Sequence, residues 1–168
     1  DVYKRQELAD AVPLLLFHAR FPADQRSQQE QAVLARFGQS GERPAKALLI
    51  ATQVAEQSLD IDFDFMLTDL APVDLILQRA GRLHRHQRER PEAHRQATLY
   101  VAGLAPEALP DLKSTAWEYV YEPYILGRTW ALLSREQELH LPQDIDRLVQ
   151  AVYDSEDLPA DLAEADRA

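Results

Sequence analysis

The sequence predicts an α/β fold: a parallel sheet with flanking helices, followed by a short helical C-terminal extension. Two observations carry this expectation. Short apolar runs alternate with stretches of helical periodicity, the pattern of a parallel sheet covered on both faces. Polar residues follow directly on the ends of those runs, where open α/β sheets place their ligands.

The first run, Val12-Pro13-Leu14-Leu15-Leu16-Phe17, reads as a buried strand. Pro13 falls near its start, where a missing N–H is tolerated. His18-Ala19-Arg20-Phe21-Pro22 forms the loop after it. Asp24 is the expected N-cap of a helix to about Phe37, with Ala32, Val33, Leu34 and Phe37 on its apolar side. Gly38-Gln39-Ser40-Gly41 ends that helix. The second strand, Lys46 to Ala51, runs into Thr52-Gln53. The third, Phe65 to Thr68, runs into Asp69 and a turn at Ala71-Pro72.

A helix follows from Val73 to Ala80, and the spacing of three puts Arg82 and Arg85 on one side of its end. A charged loop, Gln87 to Arg95, leads to a fourth strand, Ala97 to Ala102. His18, Thr52 and Asp69 each follow a strand, so their loops are expected to line one edge.

Beyond Gly103 the character changes, with Pro106 and Pro110 marking a linker. Thr115 to Leu133 reads as a helical region, broken or kinked at Pro123. Its aromatics, Trp117, Tyr119, Tyr121, Tyr124 and Trp130, read as core and domain-contact residues. Pro142 to Tyr153 is a shorter helix with Pro142 in its first turn. The expected division is a main α/β domain over 1–103, a helical accessory segment over 104–154 and an acidic, disordered end over 155–168.

Apolar residues make up 46% of the 168, enough for a packed core. No cysteine is present, which excludes disulfides and cysteine-based metal sites. No apolar run approaches the roughly 20 residues of a membrane span. The net charge of −10 speaks against a nucleic-acid partner until its distribution is read. Residues 1–95 hold 13 Lys and Arg against 14 Asp and Glu, while 96–168 hold 5 against 14. The arginines crowd at 79, 82, 85, 88, 90 and 95, and a local cluster governs phosphate contact more than the total does. A chain that opens on Asp1 reads as a piece of a longer one.

Two motifs carry the function. Gln78 to Arg85 spells Q-R-x-G-R-x-x-R, which resembles motif VI of superfamily 2 helicases. Ala51 to Asp62 spells A-T-Q-x-x-E-Q-S-L-D-I-D, which resembles their motif V. In this spelling and order, the two resemble the CRISPR-associated helicase–nuclease of type I systems. His18-Ala19-Arg20-Phe21 is similar to motif IV of that subfamily. The usual helicase spelling has Arg-Gly where this chain has Gln57-Ser58.

The resemblance implies a second RecA-like domain. It makes Arg82 and Arg85 arginine fingers, which stabilise charge at the transferring phosphoryl group. It puts Gln78, Gln57, Ser58 and Asp60 at the nucleotide, Asp60 orienting the ribose or a finger arginine. Gly81 would allow close backbone approach. Thr52, His18, Arg20 and Arg26 would contact the DNA backbone. Arg79 would pair with Asp62 or Asp69.

ATP and Mg2+ would be held mainly by a first RecA-like domain. No G-x-x-x-x-G-K-[ST], no Asp-Glu pair after a strand and no His-Asp doublet occurs in this sequence. Hydrolysis by this chain alone is not expected. The parent would be a cytoplasmic, ATP-dependent translocase on single-stranded DNA with a separate nuclease domain. It would act in antiviral defence, recruited by a guide-RNA surveillance complex of the Cascade kind, with no membrane partner. His84 and His86 read as surface residues, and no metal site is expected here. The alternatives are another superfamily 2 DNA or RNA helicase and a non-catalytic nucleic-acid-binding module. Gln78, Arg82 and Arg85 together argue against the module, since binding alone requires no finger.

Overall fold

All four apolar runs expected to be strands are strands, with ends shifted by one or two residues. The computed structural model describes residues 12–18, 20–53, 59–105, 110–115 and 117–154. Gln57, Ser58 and the acidic end at 155–168 lie outside the described residues. Internal contacts divide the chain into two discontinuous units, one from 1–64 with 82–97 and one from 65–81 with 98–168.

In the first unit, β1 (Leu14–Phe17) pairs in parallel with β2 (Leu48–Ala51), Leu14 opposite Leu48 and Phe17 opposite Ala51. The helix α1 (Ala23–Phe37) lies between them in sequence, the crossover that a parallel pair requires. Leu15, Phe17, Val33, Phe37, Leu59 and Ile61 form one buried cluster, with Leu49 and Phe63 packed against it. Pro22, not Asp24, occupies the N-cap of α1. Proline presets the entry to a helix, and Asp24 falls in the first turn, where its charge faces the positive end of the dipole. The helix ends at Gly38, which turns to extended backbone while its amide donates to the Leu34 carbonyl, and a Cβ there would lie 2.5 Å from that oxygen.

In the second unit, β3 (Phe65–Asp69) pairs in parallel with β4 (Thr98–Ala102). It also holds the helix α2 (Val73–Ala80), a short helix α3 (Leu112–Thr115) and a 3-10 turn at Trp117–Tyr119. Two helices complete it, α4 (Pro123–Leu133) and α5 (Ile145–Tyr153). Pro123 starts α4 and does not kink a longer helix. At a first helical position its missing N–H costs nothing, so the helical stretch expected from Thr115 divides ahead of it. Pro142 sits in a turn before α5, which begins only at Ile145.

Ala71, Val73, Ile76 and Leu77 pack with Leu133, Leu148 and Val152. Leu70, Leu126, Trp130 and Ala131 form a second cluster. The aromatics part company. Trp130 is buried and donates to the Ala105 carbonyl oxygen at 3.0 Å, whereas Tyr119 is 82% exposed. Gly103 has φ of +81°, and a Cβ on it would meet the Trp117 ring at 2.6 Å. Only glycine fits that turn between β4 and the helical segment. The β3–β4 pair leaves Phe65, Leu67 and Tyr100 exposed on one side, although parallel strands ordinarily bury both faces. Among the described residues, no helix is long and apolar enough to cross a membrane.

Candidate nucleotide and nucleic-acid site

Parallel pairing of β1 and β2 brings the residues after each strand side by side, and the Thr52 amide donates to the Phe17 carbonyl at 3.1 Å. Thr52 is exposed there. His18 stacks on Phe21 with ring centroids 4.1 Å apart and planes 9° from parallel. Its Nδ1 accepts from the Arg20 amide at 3.1 Å. Arg20 and Arg26 are exposed. These four residues therefore gather at one end of the first unit.

The segment Leu59-Asp60-Ile61-Asp62-Phe63-Asp64 alternates with period two. Leu59, Ile61 and Phe63 enter the core. Ile61 bridges to Gly38, and Phe63 bridges in parallel to Leu83. The Phe63 amide donates to the Arg82 carbonyl at 2.9 Å, and the His84 amide donates to the Phe63 carbonyl at 3.1 Å. The three aspartates are thereby presented to the arginine-rich stretch.

Arg82 and Arg85 are not on a helix: α2 has ended at Ala80, so the spacing of three does not put them on a helical face. Arg82 Nη1 donates to the Leu59 carbonyl at 2.7 Å. Burial, and then the charge of Arg85, pushes the Arg82 guanidinium below its ordinary value, with Asp60 opposing. Arg85 Nε donates to Asp60 Oδ1 at 2.7 Å, both side chains about half-exposed. His86 Nε2 lies 2.9 Å from the same oxygen, and its Nδ1 lies 3.3 Å from an Arg88 nitrogen. Arginine only donates, so Nδ1 accepts and Nε2 carries the proton toward Asp60. The bonds from His86 and then from Arg85 hold the Asp60 carboxyl below the usual range.

The His86 side chain is thus nearly buried, while His84 is partly exposed. The His86 side chain is only 9% exposed, and His84 Nε2 lies 3.2 Å from the Asp64 carbonyl oxygen. An open depression of about 530 Å³ is lined by Gln39, Arg85, His86, Gln87 and Arg88. Gln39, His86 and Gln87 had no motif to flag them.

Gln78 and Gly81 belong to the second unit. Gln78 is exposed on the last turn of α2, and the Gly81 amide donates to the Leu77 carbonyl at 2.9 Å. Gly81 is helical in φ and ψ, and a Cβ would sit no nearer than 3.5 Å to the backbone. The fold itself does not demand glycine there. Arg79 donates to Thr68 Oγ1 at 2.6 Å, to the Asp69 carbonyl at 3.2 Å and to the Tyr121 hydroxyl at 3.2 Å. Asp62, its other expected partner, is instead ringed by Arg43, Arg88 and Arg90. Among the described residues, no group of three or more histidines and carboxylates could hold a metal ion.

A family model described as CRISPR-associated nuclease/helicase Cas3, C-terminal, matches residues 1–88. The chain is 50% identical over 149 residues to a CRISPR-associated endonuclease/helicase Cas3 of Thermus thermophilus, covering 89% of this chain and 16% of that one. It is 44% identical over 164 residues to a CRISPR-associated nuclease/helicase Cas3 of Streptococcus thermophilus, covering 92% and 17%. Among solved structures it is similar to T. fusca Cas3-ADP, with a TM-score of 0.80 and 42% identity over 99% of this chain and 20% of that one. It is also similar to a chain of a CRISPR RNA-guided surveillance complex, pre-nicking, with a TM-score of 0.76 and 39% identity over 99% and 22%. The chain therefore spans about one-sixth of the curated relatives it matches. It belongs to the CRISPR-associated Cas3 nuclease/helicase family and corresponds to a C-terminal part of it.

Proposed function

We propose that this chain is the finger-bearing half of an ATP-driven motor on single-stranded DNA. The observation that carries the reading is the Arg85–Asp60 contact at 2.7 Å, which joins motif V to motif VI. Arg82 and Arg85 lie within electrostatic reach of each other and of Asp60, a locally cationic arrangement that suits a polyphosphate. Arg85 and Arg82 would stabilise charge on the transferring phosphoryl group. Gln78 and the Gly81 backbone would face the nucleotide, with Gln57 and Ser58 beside it, and Asp60 would orient Arg85. Thr52, His18, Arg20 and Arg26 would hold DNA phosphates, contacts that position the strand without reading its sequence.

Nucleotide binding draws support from relatives described as Cas3-ADP, Cas3-AMPPNP and Cas3-ATP. A surveillance-complex partner draws support from the relative described in one. The carboxylates described here do not make a magnesium site, so no step is assigned to that ion on this chain; the first RecA-like domain would hold it. Residues 1–103 would act as the second RecA-like domain and 104–154 as an accessory segment of the parent, which would pair this motor with a nuclease in antiviral defence.

The test is ATP hydrolysis by the full-length protein with and without single-stranded DNA. Arg85→Ala is expected to lower DNA-stimulated kcat by about 10³-fold or more. Full stimulated hydrolysis by that variant would end the finger assignment. Stimulation by RNA in place of DNA would move the reading to another helicase class.

A further inference from the structure

We infer that Asp62 and Arg90 form a clamp that positions the Arg85 finger by gripping the main chain at the next residue, His86. The inference rests on the finger role proposed for Arg85 and adds two residues with no part in that role. Asp62 is fully buried, yet its carboxylate meets three guanidiniums. Oδ2 lies 3.1 Å from Arg43 Nη1, 2.9 Å from Arg88 Nε and 2.9 Å from Arg90 Nη2. Oδ1 accepts from Arg90 Nη2 at 2.9 Å and, over a longer 3.4 Å, from the His86 amide. The same Arg90 Nη2 donates to the His86 carbonyl at 3.1 Å. Its Nη1 serves Asp64 Oδ1 and, at 3.5 Å, the Phe63 carbonyl. Residue 86 is therefore held at its N–H by Asp62 and at its C=O by Arg90.

On the other side of Arg85, the Arg82 carbonyl and the His84 amide are tied to the Phe63 main chain. Arg85 is thus the one residue between two anchored stretches, and its guanidinium is left to meet Asp60. A buried ion cluster is a poor way to gain stability, since apolar packing does as well. It is a good way to fix direction, because each bond has a preferred angle and length. Fingers reward direction: a misplacement of about 1 Å can cost about 10²-fold in rate.

Lysine at 90 separates positioning from charge. It keeps the positive charge beside Asp62 and Asp64 but lacks the fork that reaches the His86 carbonyl at the same time. Arg43→Lys is the control. Arg43 contacts the Asp62 carboxylate and carbonyl and Asp64, and the bonds that hold residue 86 come from Asp62 and Arg90.

The experiment compares steady-state ATP hydrolysis and thermal melting of the full-length protein carrying Arg90→Lys, Arg43→Lys, Arg85→Ala and the Arg85→Ala/Arg90→Lys pair. The expected result for Arg90→Lys is a kcat about 10-fold to 10²-fold lower with KM within about threefold. Arg43→Lys should leave kcat unchanged, and Arg90→Lys should remove nothing further from the residual rate of Arg85→Ala. An unchanged kcat in Arg90→Lys, an equal loss in Arg43→Lys, an additive loss in the pair, or a fold lost at the assay temperature would each overturn the clamp. If Arg85→Ala itself keeps the full rate, the finger reading fails first, and the clamp falls with it. A failure of Arg90→Lys alone leaves the finger standing.

Discussion

A single oxygen, Asp60 Oδ1, receives both the Arg85 guanidinium and the His86 ring. Because these bonds depress the Asp60 pKa, the contact is present above the ordinary carboxylate value of 3.8 and is lost as pH falls through the lowered one. At neutral pH Asp60 is therefore ionised and the finger has a defined resting partner. Gly81 supplies a sharper test at this scale. The local backbone accepts a Cβ, so Gly81→Ala should leave stability unchanged or raise it by up to about 1 kcal/mol. If the nucleotide approaches the main chain there, the same variant raises KM for ATP. Melting and hydrolysis measured together on the full-length protein check both halves of that expectation.

The site was legible in the sequence only where a motif spells it. Gln78, Arg82 and Arg85 stand in one short string, but the partner of Arg85 lies 25 residues away and that of Arg90 lies 28 away. The L-D-I-D-F-D alternation sets the three aspartates on one side of an extended segment. Nothing local said which arginines would meet it, so Arg43, Arg88 and Arg90 stayed anonymous charges and His86 passed for a surface residue.

Among the elements, the strands and α2 were the most legible. Apolar runs bounded by polar residues report strands directly, and Val73–Ala80 was readable to the residue. The starts of the other helices were not. Asp24 had the chemistry of a cap, but Pro22 fixes the entry angle two residues earlier. Pro123 was read as a break or kink and is the first residue of α4, and Pro142 was read as a first-turn residue and precedes the start of α5 by three residues.

At the edge of the apolar contact between α5 and α2, the Tyr153 hydroxyl donates to Asp74 Oδ1 at 2.5 Å. Burial, and then that carboxylate, push the Tyr153 pKa from 10.0 up to about 12. A raised pKa means the contact is fully present below pH 10 and is lost as pH rises through about 12. Tyr153 is close to half-exposed, so screening leaves the bond worth about 0.5–1 kcal/mol. Tyr153→Phe is expected to cost that much at neutral pH. The ultraviolet difference between wild type and variant during an alkaline titration should show a tyrosine that ionises late. Ionisation near pH 10 would count against the contact.

For the molecule as a whole, the acidic total misleads. The excess of Asp and Glu lies beyond residue 95, while Arg20 and Arg26 stand exposed beside Thr52 and His18 in the other unit. If these arginines hold DNA phosphates, replacing both by alanine weakens binding about equally on every sequence. It also lowers the slope of log affinity against log salt by about 1.4, from roughly 0.7 per phosphate contact on single strands. Filter binding or anisotropy across a salt series with the full-length protein reads the slope. An unchanged slope would remove Arg20 and Arg26 from the interface.

The discontinuity of the two units bears on how the chain is born. Asp62 is translated long before Arg88 and Arg90, and the intervening residues 65–81 belong to the other unit. Arg43 precedes Asp62 in the chain, but Arg88 and Arg90, the other two guanidiniums at its carboxylate, follow it, so the buried ion cluster of the first unit is complete only once residue 90 has been made. By then β3 and α2 are already outside and unpaired, since β4 begins only at Thr98. For that interval the nascent chain exposes Phe65, Met66 and Leu67 as an open parallel edge, the kind of surface that chaperones bind. The first unit is complete at Ala97 and the strand pairing of the second begins at Thr98, whereas the helices that close the core of the second follow only from Pro123 onward. In synthesis, therefore, the arginine-rich segment comes last among the partners of Asp62 and before the strand pairing of the second unit.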